Sequence, residues 1–177
     1  MFNSDTVSYK EPNQGGLGTC YFISSIAGAS EWPDYITDMF VMGTGSDSKD
    51  AGIIGVKFFI RGKPWVVTID DKLPFQEQFG TKYLVYAQPS EDQSHAMWAP
   101  ILEKAWSKVK GDFEAAEGGF NPNGLKSLVG VPVFPYNIAD VGTNNGVSKE
   151  LTFDLIHAAN VAHYPLAANT AGQGGSD

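Results

Sequence analysis

One cysteine, placed where a glycine-rich loop gives way to an apolar helical segment, constrains this chain more than any other feature. Cys20 is the only cysteine among 177 residues, so no intrachain disulfide can form and the chain must fold around a hydrophobic core. The hydrophobic fraction of 42% supplies enough apolar side chains for that core. A lone cysteine also favours a reducing compartment, and we expect a cytoplasmic location.

The charge balance excludes several classes of partner. With 12 Lys and Arg against 20 Asp and Glu, the net charge is −8, so phosphate backbones and anionic membranes would be repelled. No apolar stretch approaches the roughly 20 residues of a membrane span, and residues 1–10 lack the charged and apolar zones of a signal peptide. We therefore expect no nucleic-acid partner and no membrane-spanning or secretory element.

The pattern around Cys20 predicts a loop followed by a buried helix. Residues 10–18 are rich in turn formers, and from Cys20 onward apolar residues recur at helical spacing. Thr19 is placed to cap this helix. A second, short helix is predicted from Pro33 to about Met42, because proline suits the first turn of a helix.

The next segment predicts a β-hairpin. Residues 55–60 and 65–69 are rich in β-forming side chains and flank a turn at residues 61–64. Asp70 and Asp71 follow the second strand. We interpret these two acids as turn formers rather than as metal ligands.

An apolar stripe farther along predicts an amphipathic helix over about residues 97–109. Pro100 falls in its first turn, where proline is tolerated. Charged residues, Glu103 among them, fill the remainder of the helix surface. This pattern predicts a helix with one face against the core.

Breaker residues at 118–124 predict a boundary between two lobes. The first lobe covers residues 1–119, and residues 120–177 form the connection and the opening segment of a second lobe. Within the second segment, Ser148 is placed to cap a helix, and residues 166–170 predict a strand.

The position of Cys20 is one that suits a nucleophile. At the first turn of a helix, unpaired backbone N–H groups and the positive end of the helix dipole stabilise a thiolate. Gln14 lies on the same loop, and its side-chain amide could donate to an oxyanion near the thiol. The alternative interpretations are that Cys20 is a small buried core residue and Gln14 a solvated loop residue.

Four segments resemble motifs of the calpain family, in the same order along the chain. Residues 14–22 resemble the Gln-Gly-x-Leu-Gly-Asp-Cys-Trp-Leu nucleophile segment, and residues 65–74 resemble a strand ending in Asp-Asp-x-Leu-Pro. Residues 98–109 resemble a Trp-x-x-Leu-Leu-Glu-Lys-Ala-Tyr-x-Lys-Val helix, and residues 113–119 resemble a Tyr-Glu-Ala-Leu-x-Gly-Gly loop. The resemblance departs from the family pattern at Thr19, which stands for an Asp, and at Tyr21, which stands for a Trp.

The resemblance implies an α+β, papain-like cysteine protease fold, with a helix-rich first lobe that carries a β-hairpin and an incomplete second lobe. By position in the motifs, Cys20 would be the catalytic nucleophile and Gln14 the side-chain donor to the oxyanion. Gly18, Gly118 and Gly119 would border the substrate cleft and bind the backbone of an extended peptide. The implied activity is that of a thiol endopeptidase acting on extended protein segments.

The histidine partner of such a thiolate is not identified in this sequence. In calpains the histidine belongs to a Gly-His-Ala motif and the orienting asparagine to an Asn-Pro-Trp motif, and neither motif occurs here. We interpret His95, His157 and His163 as surface or packing residues. The chain is therefore expected to be the nucleophile-bearing part of a protease core, inactive without a second lobe that supplies His and Asn. The alternative is a non-catalytic calpain-like domain that binds a peptide or protein partner.

The resemblance also raises the question of calcium. Calcium-gated calpains bind an ion in the first lobe through a loop acid and a helix glutamate. Glu11 matches the loop acid, but Ala96 stands at the glutamate position and offers no side-chain oxygen. We therefore expect no cofactor for this chain and no metal site in this lobe. The alternative is that Glu91 or Asp92, in the acidic loop before Trp98, supplies the missing carboxylate.

Overall fold

The computed structural model describes residue 2 and residues 7–43, 52–89, 96–138 and 146–169. The elements in chain order are α1 (Cys20–Ser30), α2 (Pro33–Thr37), β1 (Phe40–Met42), β2 (Ile53–Ile60), β3 (Lys63–Asp70), β4 (Phe75–Gln78), β5 (Thr81–Leu84), α3 (Trp98–Lys110), a 3₁₀ turn (Glu114–Ala116), α4 (Asn121–Val129) and α5 (Lys149–Val161). This mixture of helices and small antiparallel sheets confirms the predicted α+β class. No helix within these ranges is long and apolar enough to cross a membrane.

The predicted hairpin forms the centre of an antiparallel sheet with strand order β1-β2-β3. Arg61 and Gly62 both have positive φ, 52° and 77°, as a two-residue turn that matches the twist of the strands requires. The turn is therefore shorter than predicted, and Pro64 pairs with Phe59 inside the ladder. β4 and β5 form a separate two-stranded hairpin.

The core is built where α1, α3 and the sheet meet. The rings of Phe22 on α1 and Trp106 on α3 stack with centroids 5.0 Å apart, and Phe58 on β2 lies 5.6 Å from Trp106. Phe22 and Phe58 are fully buried. Burial of large aromatic side chains, each worth roughly 1.5–3 kcal/mol, fixes the helix that carries Cys20 against the sheet.

The stretch predicted as a break around Asn121 is instead the start of a helix. Pro122 is accepted in the first turn of α4, and Leu125 and Leu128 are buried. Gly124 lies directly against Ser25 of α1. The lobe boundary between residues 119 and 120 stays a prediction, and α4 packs on α1 across it.

Two further predictions differ from the structure. α2 ends at Thr37, because residues 40–42 pair with β2 and extend the sheet. The strand predicted over residues 166–170 does not form in its described part, residues 166–169, where the backbone of Leu166 instead passes closely over Gly28. Thr170 lies outside the described residues. The helix after Ser148 forms as predicted, and the Ser148 hydroxyl accepts the backbone N–H of Leu151 at 3.2 Å.

Candidate functional site

Cys20 is the first residue of α1 and is exposed. The three residues that follow it, Tyr21, Phe22 and Ile23, are all buried. The helix is therefore anchored in the core while its N-terminal thiol faces solvent. This arrangement leaves the thiol accessible from solvent.

Thr19 occupies the position before the helix but does not cap it as predicted. Its hydroxyl donates to a carboxylate oxygen of Glu103 on α3, and the second carboxylate oxygen accepts the backbone N–H of Ala87 at 2.7 Å. Glu103 is buried, which raises the pKa of its carboxyl group. The placement of Glu103 on the polar face of its helix is therefore wrong.

A signal for this burial exists in the sequence. On a helix, position 103 shares a face with positions 99, 106 and 107. These are Ala99, Trp106 and Ser107, which are small or apolar and are buried. Glu103 thus continues a core-facing stripe, and a buried acid on such a stripe requires partners of the kind found here.

The loop before Cys20 is held against residues 85–88. Gln88 donates its backbone N–H to Asn13 at 2.9 Å, and Gly16 donates to Val85 at 3.0 Å. A Cβ on Gly15 would lie 1.6 Å from the carbonyl oxygen of Tyr86. Glycine is therefore required at position 15 for this close approach of two backbones.

Gln14 is exposed on this anchored loop. Its side-chain Nε2 donates to the carbonyl oxygen of Leu17 at 2.8 Å. A glutamine amide has two N–H groups, so this bond orients the side chain and leaves the second N–H for a ligand.

The glycines predicted to border the cleft come together, although they are far apart in sequence. Gly118 donates its backbone N–H to the carbonyl oxygen of Gly18 at 3.0 Å. Gly18 in turn donates to a carboxylate oxygen of Glu117 at 3.3 Å. The loop with the two glycines therefore flanks the loop that leads into Cys20. Sequence reasoning did not single out Glu117.

Gly119 is fixed by Tyr21. A Cβ at position 119 would lie 2.7 Å from the Tyr21 ring. The Tyr21 hydroxyl donates to the carbonyl oxygen of Ala116 at 3.0 Å and accepts the indole N–H of Trp106 at 2.9 Å. Burial raises the pKa of this phenol, and the side chain ties the glycine loop to α1.

The described histidines lie in the second segment. His163 stacks on Trp32 with ring centroids 5.8 Å apart, and Trp32 lies beyond the C-terminal end of α1. Because an 11-residue helix spans roughly 16 Å, that stack is remote from the thiol at the other end. His157 is exposed on α5, and His95 lies outside the described residues.

The two candidate calcium positions, Glu11 and Ala96, offer one side-chain carboxylate between them, and Glu91 and Asp92 lie outside the described residues. Glu11 is buried, and its carboxylate accepts the indole N–H of Trp98 at 2.6 Å and the backbone N–H of Ser8 at 3.0 Å. Ala96 is buried and has no oxygen in its side chain. No group of three potential metal ligands occurs among the described residues. These residues do not fit a hard cation that requires six or more oxygens.

Asp70 behaves as a turn former. It accepts the backbone N–H of Lys72 at 2.9 Å and pairs with Lys104 on α3. The hydrogen bond from Lys104 lowers the pKa of the Asp70 carboxyl group. Asp70 thus joins the end of β3 to α3.

Comparison with known proteins identifies the family. Residues 1–173 match the calpain family cysteine protease profile. The chain is 32% identical over 127 residues to the calpain-type cysteine protease DEK1 of Zea mays, 32% over 120 residues to calpain-12 of Mus musculus and 29% over 118 residues to the calpain-2 catalytic subunit of Homo sapiens.

These alignments cover 72%, 67% and 66% of this chain, respectively. They span only 6% of the length of the maize protein and 16% of the length of each of the other two. The match over residues 1–173 covers nearly the whole sequence. The chain therefore belongs to the calpain family of cysteine proteases.

Proposed function

We propose that this chain is the nucleophile-bearing portion of a calpain-like cysteine endopeptidase that cleaves extended protein segments. The observation that carries the proposal is the exposed thiol of Cys20 at the start of a buried helix. The Gln14 loop precedes this thiol, and the Gly118–Gly119 loop flanks it through Gly18. A free, exposed thiol also suits a reducing compartment such as the cytoplasm.

In this proposal the Cys20 thiolate attacks the carbonyl carbon of the scissile peptide bond. The negative charge that develops on the carbonyl oxygen is stabilised by the second N–H of Gln14 and by the backbone N–H of Cys20. The first residues of a helix have backbone N–H groups without a partner inside the helix, and this supports the backbone N–H of Cys20 as a donor. Collapse of the tetrahedral intermediate releases the amine and leaves a thioester on Cys20, which water hydrolyses.

The substrate backbone is proposed to cross the loop of Gly118 and Gly119. The Gly118 N–H already donates to Gly18, so the groups left for a peptide are the Gly118 carbonyl and the Gly119 N–H. Both glycines are exposed. An extended peptide that pairs with these groups is held mainly through its backbone.

The proton transfers are assigned to the histidine of a second lobe, which is the partner implied by the family. The leaving amine must be protonated, and the thiol needs a base. α5 buries none of its side chains and exposes Leu151, Phe153 and Ile156. Such an apolar helix supports the proposal that residues 120–177 open a larger lobe.

The 177-residue chain by itself is therefore expected to be inactive. Loss of general acid–base catalysis removes about 10²- to 10⁴-fold of rate, and His163, which stacks on Trp32, lies far from the thiol. The measurement is hydrolysis of an unfolded protein such as reduced casein, with the Cys20→Ala variant as blank. Turnover that depends on Cys20 and equals that of a whole cysteine protease would contradict this assignment.

A second candidate function is a non-catalytic domain that binds a peptide in the same cleft. It is favoured by the bond from Gln14 to Leu17, which holds the amide within its own loop. The natural full-length protein distinguishes the two functions. Cleavage of casein that disappears in Cys20→Ala supports the protease, whereas peptide binding without cleavage supports the binding domain.

A further inference from the structure

Glu117 is an acidic residue at the entrance to the nucleophile. Its Oε1 accepts the backbone N–H of Gly18 at 3.3 Å, and its side-chain carbons lie in van der Waals range of the space beside the Gly18 Cα. Gly18 is two residues before Cys20, and Gly118 directly follows Glu117. The carboxylate therefore lies between the thiol loop and the loop proposed to hold the substrate.

Among the residues that the structure describes, Glu117 has no ion-pair partner. Its side chain is exposed, and the only ion pair recorded among the described residues joins Asp70 and Lys104. Residues 11–19 and 111–120, which form the two loops, contain no Lys or Arg. The bond from Gly18 occupies one carboxylate oxygen, and the other remains for a cation.

We infer that Glu117 is a specificity-determining residue that selects protein segments with a Lys or Arg side chain beside the bond to be cleaved. The inference rests on the proposed function, because it requires the substrate to cross the Gly118–Gly119 loop. An ammonium or guanidinium group passing this loop would meet the free oxygen of Glu117. An acidic side chain at the same place would meet like charge.

Thiol reagents that differ only in charge test this inference on the chain itself. The rates at which Cys20 reacts are measured with trimethylammonium-ethyl, sulfonatoethyl and methyl methanethiosulfonate, which are cationic, anionic and neutral. Glu117→Gln keeps an acceptor for the Gly18 N–H but removes the charge. We expect this variant to lower the ratio of cationic to anionic rates about fivefold at low salt, since two unit charges about 4 Å apart interact by about 1 kcal/mol even in water.

Two control variants separate charge from structure. Glu117→Asp keeps the charge and should keep most of the ratio. Glu77→Gln makes the same change in net charge on the exposed strand β4 and should leave the ratio as in the unmodified chain. A ratio that is unchanged in Glu117→Gln, or that falls equally in Glu77→Gln, would overturn the inference.

The neutral reagent distinguishes this failure from failure of the proposed function. Fast reaction with the neutral reagent but no charge preference dependent on Glu117 overturns the specificity role alone. Reaction with the neutral reagent only after denaturation overturns the accessible nucleophile and with it the specificity role.

Discussion

At the scale of single residues, a buried carboxyl group orders the approach to Cys20. Glu103 accepts hydrogen bonds from Thr19, directly before the nucleophile, and from Ala87 in the segment that supports the Gln14 loop. The calpain motif has an aspartate at the position of Thr19. In this chain the threonine hydroxyl at that position donates a hydrogen bond to Glu103.

The raised pKa of Glu103 predicts a contribution to stability that depends on pH. Because burial raises the folded-state pKa above the unfolded value, this contribution is fully present below the unfolded pKa and is lost as pH rises through the folded pKa. Glu103→Gln removes the ionisation and keeps an acceptor. We expect a smaller loss of unfolding free energy with rising pH in this variant, measured by urea unfolding from pH 4 to pH 8.

The unmodified chain is the reference at each pH, so other carboxyl groups cancel in the difference. Parallel stability curves for the two proteins would show that Glu103 does not titrate differently in the folded and unfolded states.

At the scale of elements, the sequence pattern predicts those helices and strands that form through local interactions. The hydrophobic periodicity of α1 and α3 and the two β-rich runs of the hairpin are sufficient to predict those elements. β1 forms because residues 40–42 pair with the free edge of β2. This pairing depends on the tertiary fold and cannot be predicted from the local sequence pattern. The sequence Asn-Pro-Asn-Gly at 121–124 reads as a turn, yet burial of Leu125 and Leu128 makes it the start of α4.

Gly124 should be required for the contact between α4 and α1. A Cβ there would lie 2.7 Å from the hydroxyl of Ser25, which donates to Tyr21 at 2.7 Å. Alanine normally stabilises a helix by about 1 kcal/mol relative to glycine, but here we expect Gly124→Ala to destabilise by about 1–3 kcal/mol. Urea unfolding measures the change.

Asn123→Ala provides the matched control, because Asn123 is exposed on the same helix. It should be neutral or slightly stabilising. A Gly124→Ala variant as stable as the control would contradict the close packing.

At the scale of the whole molecule, the site is assembled from distant segments. Gly18 and Glu117 are 99 residues apart in sequence and share a hydrogen bond. The local pattern around the first helix made Cys20 and Gln14 candidates, and the motif resemblance added the glycines and the role of each residue. Their mutual placement depends on how α1, α3 and residues 85–88 pack, and for this reason local pattern could not assign a role to Glu117. For Glu103, local pattern carried a signal of burial, but its bonds to Thr19 and Ala87 depend on the same packing.

Calcium binding also depends on residues from distant parts of the chain. The Glu11 carboxylate accepts hydrogen bonds from Trp98 and Ser8, and Ala96 supplies no side-chain oxygen. We therefore expect no saturable micromolar calcium binding and no calcium-dependent ordering of this lobe. Calorimetry on the chain and on Glu11→Gln, which is nearly isosteric, measures this directly. Micromolar binding that disappears in the variant would reveal a site at Glu11.

The proposed function depends on a Cys20 thiol that is accessible in the folded chain. Alkylation of Cys20 in the native state tests this accessibility directly. The chain is treated with iodoacetamide in buffer without denaturant, and modification is followed by mass spectrometry while circular dichroism monitors the fold. Since Cys20 is the only cysteine, stoichiometry reports this residue alone. We expect complete modification of the folded chain. Modification that appears only after unfolding would contradict an accessible nucleophile and identify Cys20 as a core residue.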